Sequence, residues 1–257
     1  MGLVGPNGAG KTTIIKLIMN LVRREAGDIR VFGLDNRRDE AAVKARIGFV
    51  YDEPRYFEDV RLEDMRRAIA PFYPRWDEAL FRQLAAEFEL PLRKTIKTLS
   101  LGMRTKFAVA LALAHDAELL LLDEPTAGLD PVFRRELLAR FSALREDGRR
   151  SILFSTHITT DLERIADYIV FLRDGAVALV ASRDELLDSW GVVRGDLHIL
   201  ADLDPSLRRG VRRHAFGVDV LTPDAAAVRR RLGDAVAVDR ASLEDIVVML
   251  DQETGHA

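Results

Sequence analysis

The chain contains no cysteine. That excludes disulfide staples and thiolate metal sites and fits a reducing compartment. It has no uncharged apolar run approaching the ~18 residues a membrane-spanning helix needs. Its start lacks the basic residues of a secretory leader, and Gly8 to Lys11 interrupt any apolar core there. Positive charge is not in surplus: the formal net charge is -3. The arginine groups Arg208, Arg209, Arg212, Arg213 and Arg229, Arg230, Arg231 are interleaved with acids, and they read as solvated faces rather than a nucleic-acid footprint. Internal repeats and low-complexity segments are missing too. Together these absences predict a soluble cytosolic chain, free or seated on a membrane partner. What remains is 257 residues, 48% hydrophobic and 31% charged. That suits one large α/β domain, alone or with a small appendage.

The most informative stretch is Gly5-Pro6-Asn7-Gly8-Ala9-Gly10-Lys11-Thr12-Thr13. It fits G-x-x-x-x-G-K-[ST], a loop that cradles phosphates. Phosphate oxygens need several donors at close range, and backbone N–H groups supply them only where no side chain intervenes. Gly5, Gly8 and Gly10 permit that approach. Lys11 supplies a point charge to the β/γ-phosphates, and the Thr12 hydroxyl is a candidate Mg²⁺ ligand. The apolar residues after it (Ile14, Ile15, Leu17, Ile18, Leu21) predict a helix whose N-terminus faces the anion. Only Met1 to Val4 precede the loop, so the strand feeding it is short.

Further along, Ile29–Gly33 and Ile47–Tyr51 read as strands, the second ending at Asp52-Glu53-Pro54. Residues 55 to about 115 have helical texture. Met65, Ile69 and Phe72 recur at helical spacing until Pro71 and Pro74 intervene. Trp76, Leu80, Phe81, Leu84 and Phe88 mark a second amphipathic helix, and a third is expected from Arg104 to Ala114 behind an N-cap at Ser100. Leu119–Leu122 is a run typical of a strand buried on both faces, and it closes in Asp123-Glu124. Ligands bind at that end of open parallel sheets. Asp123 is therefore a candidate for Mg²⁺, and Glu124 for the base that takes a proton from, or orients, an attacking water. In isolation the two acids read equally as surface acids ending a core strand. Asp130 could be only the cap of a helix begun by Pro131. Ser151–Ser155 is the next buried strand, with Thr156-His157 at its end. Residues 169–172 and 176–180 form a hairpin around Asp174-Gly175. From about residue 188 the texture changes to short elements, and Ser242 to Asp245 look like a capping box opening a final helix.

In their order these motifs resemble the ATP-binding subunit of ABC transporters, in the exporter (ABC-2-type) branch that includes multidrug and antibiotic-resistance systems. Residues 5–13 match the Walker A loop and residues 119–124 match Walker B with its catalytic glutamate. Leu129-Asp130 match the D-loop and His157 the switch histidine. Residues 99–103 match the signature motif in its L-S-x-G-M form. The resemblance implies a P-loop NTPase (RecA-like) α/β fold with a mostly parallel sheet core, a helical subdomain inserted at about 55–115, and a small α+β C-terminal tail. It divides the chain into an ABC ATPase domain, 1–187, and an extension, 188–257. It implies ATP and Mg²⁺ as cofactors, with Glu124, His157 and Lys11 catalytic, and Thr12 and Asp123 on the metal. It also implies head-to-tail pairing with a second ABC chain, like or unlike, so that Ser100 and Gly102, with Asp130 nearby, reach nucleotide held by the partner's loop. The engine would drive a multi-span permease on a separate chain, which places it in the cytoplasm, peripheral on the inner face of the membrane. The stretch 51–72, including Tyr56 and Phe57, lies where the family meets its permease.

Three departures qualify the match. Family members carry strands before the P-loop and an aromatic residue that stacks on adenine, for which this sequence has no counterpart. That is compatible with a fragment or with a start assigned downstream. One such stack corresponds to ~1–3 kcal/mol. The usual glutamine after residues 47–51 is Asp52, a shorter, acceptor-only group whose place on the metal is open. The usual second glycine and the glutamine of the signature are Leu101 and Met103. Two further readings are a soluble ABC ATPase acting on nucleic acid or ribosomes, and a truncated, inactive cassette. The short interval between Lys11 and Ser100 and the single cassette disfavour the first, so no nucleic acid is expected.

Overall fold

The computed structural model describes residues 1–252, apart from the Asp234 side chain; residues 253–257 of the expected extension lie outside it. The chain packs as two units. One is Lys11–Thr156; the other joins Met1–Gly10 to the chain from His157 onward.

Within Lys11–Thr156, three strands lie side by side and parallel: Ile47–Val50, Leu119–Asp123 and Ser151–Ser155. Leu120, Leu121 and Leu122 in the middle strand are at most 1% exposed, as a strand covered on both faces requires. The helix Lys11–Ile18 places Ile15 against Ile47 and Leu121, and Val31 and Val43 close the cluster. The expected strand 29–33 is shorter than its pattern. Only Arg30–Val31 pairs, with Leu34–Asp35, because Phe32 and Gly33 turn the chain at positive φ. Phe32 lies under the Arg46 guanidinium at 3.9 Å, a contact that favours staying out of the ladder.

Between the first two of these strands come the helices Leu62–Ile69, Glu78–Glu87 and Leu101–Leu113. Phe72 falls outside the first helix, in the 3-10 turn Ala70–Phe72 that contains Pro71, and Trp76 precedes the second, whose cap is Asp77. The third begins earlier than the expected Arg104, since Ser100 caps it directly. Phe81 and Phe107 meet edge-on, and both are 0% exposed. Burying each is worth roughly 1.5–3 kcal/mol.

In the other unit, Gly2–Val4 runs parallel to Tyr168–Arg173, which forms an antiparallel hairpin with Ala176–Ser182. Asp174 and Gly175 both have positive φ, the requirement of a tight two-residue turn. An antiparallel sheet follows, with Gly210–His214, Gly217–Thr222, Gly191–Gly195 and Ala237–Arg240 in that spatial order. Val193, Val218, Val220 and Val228 form its core. Three of the arginines read as solvated faces are held locally. Arg212 donates to the buried Asp219 at 2.7 Å, Arg208 to the Leu200 carbonyl and Arg229 to the Val238 carbonyl. The helix Leu243–Gln252 opens with the expected capping box: Asp245 N–H donates to Ser242 Oγ, and Ser242 N–H to the Asp245 carboxylate. It returns to its own unit, where Leu243 N–H donates to Glu163 and Arg173 donates to the Leu250 carbonyl.

One buried polar group in the helical region has a measurable consequence. His115 is 1% exposed, stacks on Tyr73 at 3.9 Å, and has no hydrogen-bond partner on either ring nitrogen. Burial lowers its pKa to about 4, and the charge of Arg75 lowers it too. The unfolded chain binds this proton near pH 6.5, so stability is complete above that pH and falls as pH drops toward 4. His115→Phe keeps a stacked ring and removes the titration. The urea-unfolding free energy of the variant should fall less than that of the parent between pH 7 and pH 4, by up to roughly 3 kcal/mol.

Candidate phosphate-binding site

The loop and the carboxylates are built by different means. In residues 1–10, Gly5, Gly8 and Gly10 all have positive φ. A Cβ on Gly5 would lie 2.2 Å from the Leu172 carbonyl oxygen, so no side chain fits there. Ala9 N–H donates to the Pro6 carbonyl, and Gly175 N–H donates to the Ala9 carbonyl. With Asn7 in the same turn, these contacts hold the backbone in the curve of a nest. One peptide bond later the helix Lys11–Ile18 begins, carrying Lys11, Thr12 and Thr13 in its first turn and offering free N–H groups at its start.

In Lys11–Thr156 the parallel register sets the acids in place. Asp123 pairs with Ser155, so the next residues, Glu124 and Thr156, leave the sheet together. Thr156 Oγ1 donates to Glu124 Oε2 at 3.1 Å, and Glu124 N–H donates to the Ser155 carbonyl at 2.9 Å. Glu124 has φ 48, a left-handed conformation that costs a non-glycine residue of order 1 kcal/mol and turns the chain sharply at the strand end. Asp123 is 0% exposed, and neither carboxylate oxygen completes a hydrogen bond. Burial raises its pKa. The Thr12 and Ser155 hydroxyls beside it work the other way, and the charges of Asp52 and Glu124 raise it further. Lys11 is 8% exposed. Burial lowers its pKa, and the charges of Glu124 and Asp123 resist that.

A buried carboxylate with two unused oxygens beside a hydroxyl fits a hard cation. Among the described residues no group of three or more His, Cys, Asp or Glu side chains could hold a metal alone. Any cation here would take its other ligands from phosphate and water, as Mg²⁺ does. Asp52 stands two residues past the Val50–Leu122 pair and turns Oδ1 to the Glu53 N–H at 2.8 Å.

Ser100, Gly102 and Asp130 belong to a second group. Ser100 Oγ accepts from Met103 N–H at 3.3 Å, and Asp130 accepts from Phe133 N–H at 2.9 Å. Asp130 is thus the cap that the sequence allowed. A Cβ on Gly102 would meet the Gly128 carbonyl at 3.3 Å, and Leu101 covers Gly128, so the two turns touch. His157 is exposed and follows Thr156 in the chain. Tyr56, expected at the permease contact, is half-buried. Its ring meets Phe107 edge-on at 5.4 Å, and burial raises its hydroxyl pKa; Phe57 is 78% exposed. Tyr56 walls a groove of about 580 Å³ with Leu21, Phe49, Tyr51, Ile69 and Phe72. Sequence reading placed Thr156 at a strand end without giving it a role and passed over Lys16. Lys16 has its pKa raised by the Tyr51 hydroxyl and by the charges of Asp52 and Asp123. The only sequence signal for either is its position, at a strand end or one helical turn past the loop.

Comparison with known proteins agrees with this geometry. Residues 1–127 match the family described as "ABC transporter". The daunorubicin resistance ATP-binding protein DrrA3 of Streptomyces coeruleorubidus is 34% identical over 99% of this chain and 79% of its own. The lantibiotic transport ATP-binding protein SrtF of Streptococcus pyogenes is 32% identical over 71% of this chain and 78% of its own. The chain spans 61% and 58% of the length of two further relatives, from Bacillus subtilis. A solved "ATP binding subunit of ABC transporter" superposes with a TM-score of 0.66 at 31% identity, covering 72% of this chain and 79% of that one. Sequence, strand register and relatives agree: the chain belongs to the ABC transporter family, as an ATP-binding cassette.

Proposed function

We propose that this chain binds and hydrolyses ATP and powers export through a separate multi-span permease. The observation that carries the reading is the fully buried Asp123, followed by Glu124, beside Lys11 and Thr12. Residues 5–13 cradle the phosphates, and Lys11 neutralises them. Thr12 and Asp123 hold Mg²⁺, with Asp52 adjacent; bound there, the ion offsets phosphate charge. Glu124, steadied by Thr156, takes the proton of the attacking water, and His157 supports the γ-phosphate. Ser100 and the helix start at Gly102 meet nucleotide held by a second cassette. The names of DrrA3 and SrtF, which speak of drug resistance and lantibiotic transport, support an exporter. Among the described residues no helix is long and apolar enough to cross a membrane. The proposed station is therefore the cytoplasmic face of the membrane, reached through the permease. Residues 1–187 form the ATPase domain and 188–257 an extension: the SrtF alignment covers 71% of this chain, the DrrA3 alignment 99%. The apolar groove beside Tyr51 and Phe72 is the permease contact.

Two experiments test the chemistry. Glu124→Gln should keep ATP affinity within a few-fold while turnover falls about 100-fold or more, the usual loss of a general base. Turnover like the parent's removes Glu124 from that role. Lys11→Ala should weaken ATP binding by about 10- to 100-fold, the value of a charge-assisted contact of roughly 1.5–3 kcal/mol; calorimetric titration measures it. For the permease contact, Phe57→Asp and Phe72→Asp, the second of them on the groove wall, sit on exposed rings and should abolish transport in reconstituted vesicles while ATP affinity stays unchanged. Transport at the parental rate places the permease elsewhere.

A further inference from the structure

The first helix carries a second lysine that the phosphate loop leaves unexplained. Lys16 follows Thr12 by four residues, so the two share one face of the helix Lys11–Ile18. On that face the Thr12 hydroxyl lies beside Asp123. The strand register supplies the rest. Val50 is opposite Leu122, so Tyr51 comes level with Asp123 at the strand ends, followed by Asp52 and Glu124. The Lys16 ammonium stands 5.3 Å from the centre of the Tyr51 ring, over this edge. Three carboxylates thus crowd one strand end. One of them, Asp123, is fully enclosed with both oxygens unpartnered. A polyphosphate approaching that edge meets more negative charge than a neutral residue at position 52 would leave.

We propose that Lys16 is a positioning residue: its ammonium is the counter-charge that lets Asp52 occupy the strand end beside Asp123 without repelling nucleotide, and it anchors the Tyr51-Asp52 turn. This rests on the reading of Asp123 and Thr12 as the nucleotide–metal edge. With Lys16 present, Asp52 adds an acceptor but no net charge. Without it, the uncompensated carboxylate pushes the phosphates away, most strongly when Mg²⁺ is scarce to offset it.

A double-mutant cycle on the full chain tests the pairing, with a fluorescent ATP analogue as probe at low and saturating Mg²⁺. K16M should weaken binding about tenfold at low Mg²⁺ and less at saturation. K16R should restore it, and K16M combined with D52N should return to within about twofold of the parent. An equal loss from K16M with and without Asp52, or no loss at all, overturns the proposal. The same cycle read by unfolding temperature without nucleotide is independent of the site's function. K16M should lower it, and adding D52N should recover most of the loss; absence of recovery also counts against the pairing. A parent chain that fails to bind the analogue overturns the nucleotide reading, while the unfolding cycle still decides the pairing.

Discussion

An unpartnered carboxylate taken wholly out of water is the constraint on which the rest of the site turns. Asp123 has no exposure and no completed hydrogen bond. A buried ionisable group in that condition is costly unless something answers its charge. The surroundings show what does. Lys11, Thr12 and Ser155 are arranged around it by one helix and one neighbouring strand. The apolar strand behind Asp123 keeps water out, so each of these contacts acts in a low dielectric. The strain at Glu124 belongs to the same arrangement. The strand must end abruptly for two adjacent acids to take different surroundings, one enclosed and one half-exposed against Thr156.

The helical insertion answers a different need. Its aromatic interior, Phe81 and Phe107 with Tyr56, fixes the helix Leu101–Leu113 so that Ser100 stands at an exposed N-terminus. Close packing makes such a helix a rigid lever rather than a soft loop. The turn at Gly102 rests against the turn at Gly128 within the same unit.

Much of this was legible in the sequence, for identifiable reasons. Glycine spacing before Lys11, the run Leu119–Leu122 ending in acids, and Ser100 as a cap each depend on local rules, and each appears in the structure. What escaped depends on register or on tertiary burial. Thr156 meets Glu124 only because Asp123 pairs with Ser155. The packing of Tyr56 on Phe107 has no local signal in the sequence, because the two are far apart along the chain. Residues 29–33 had the composition of a strand, but the turn at Phe32 and Gly33 overrode it.

The hairpin at Asp174-Gly175 has an effect beyond its own ladder. Through the Leu172 carbonyl against Gly5 and the Gly175 N–H on the Ala9 carbonyl, it holds residues 5–10 in the curved form that the proposed phosphate cradle requires. A cradle already shaped gives up little conformational freedom on capture. The free energy of contact is then left almost whole for affinity, and association need not wait on a loop to fold.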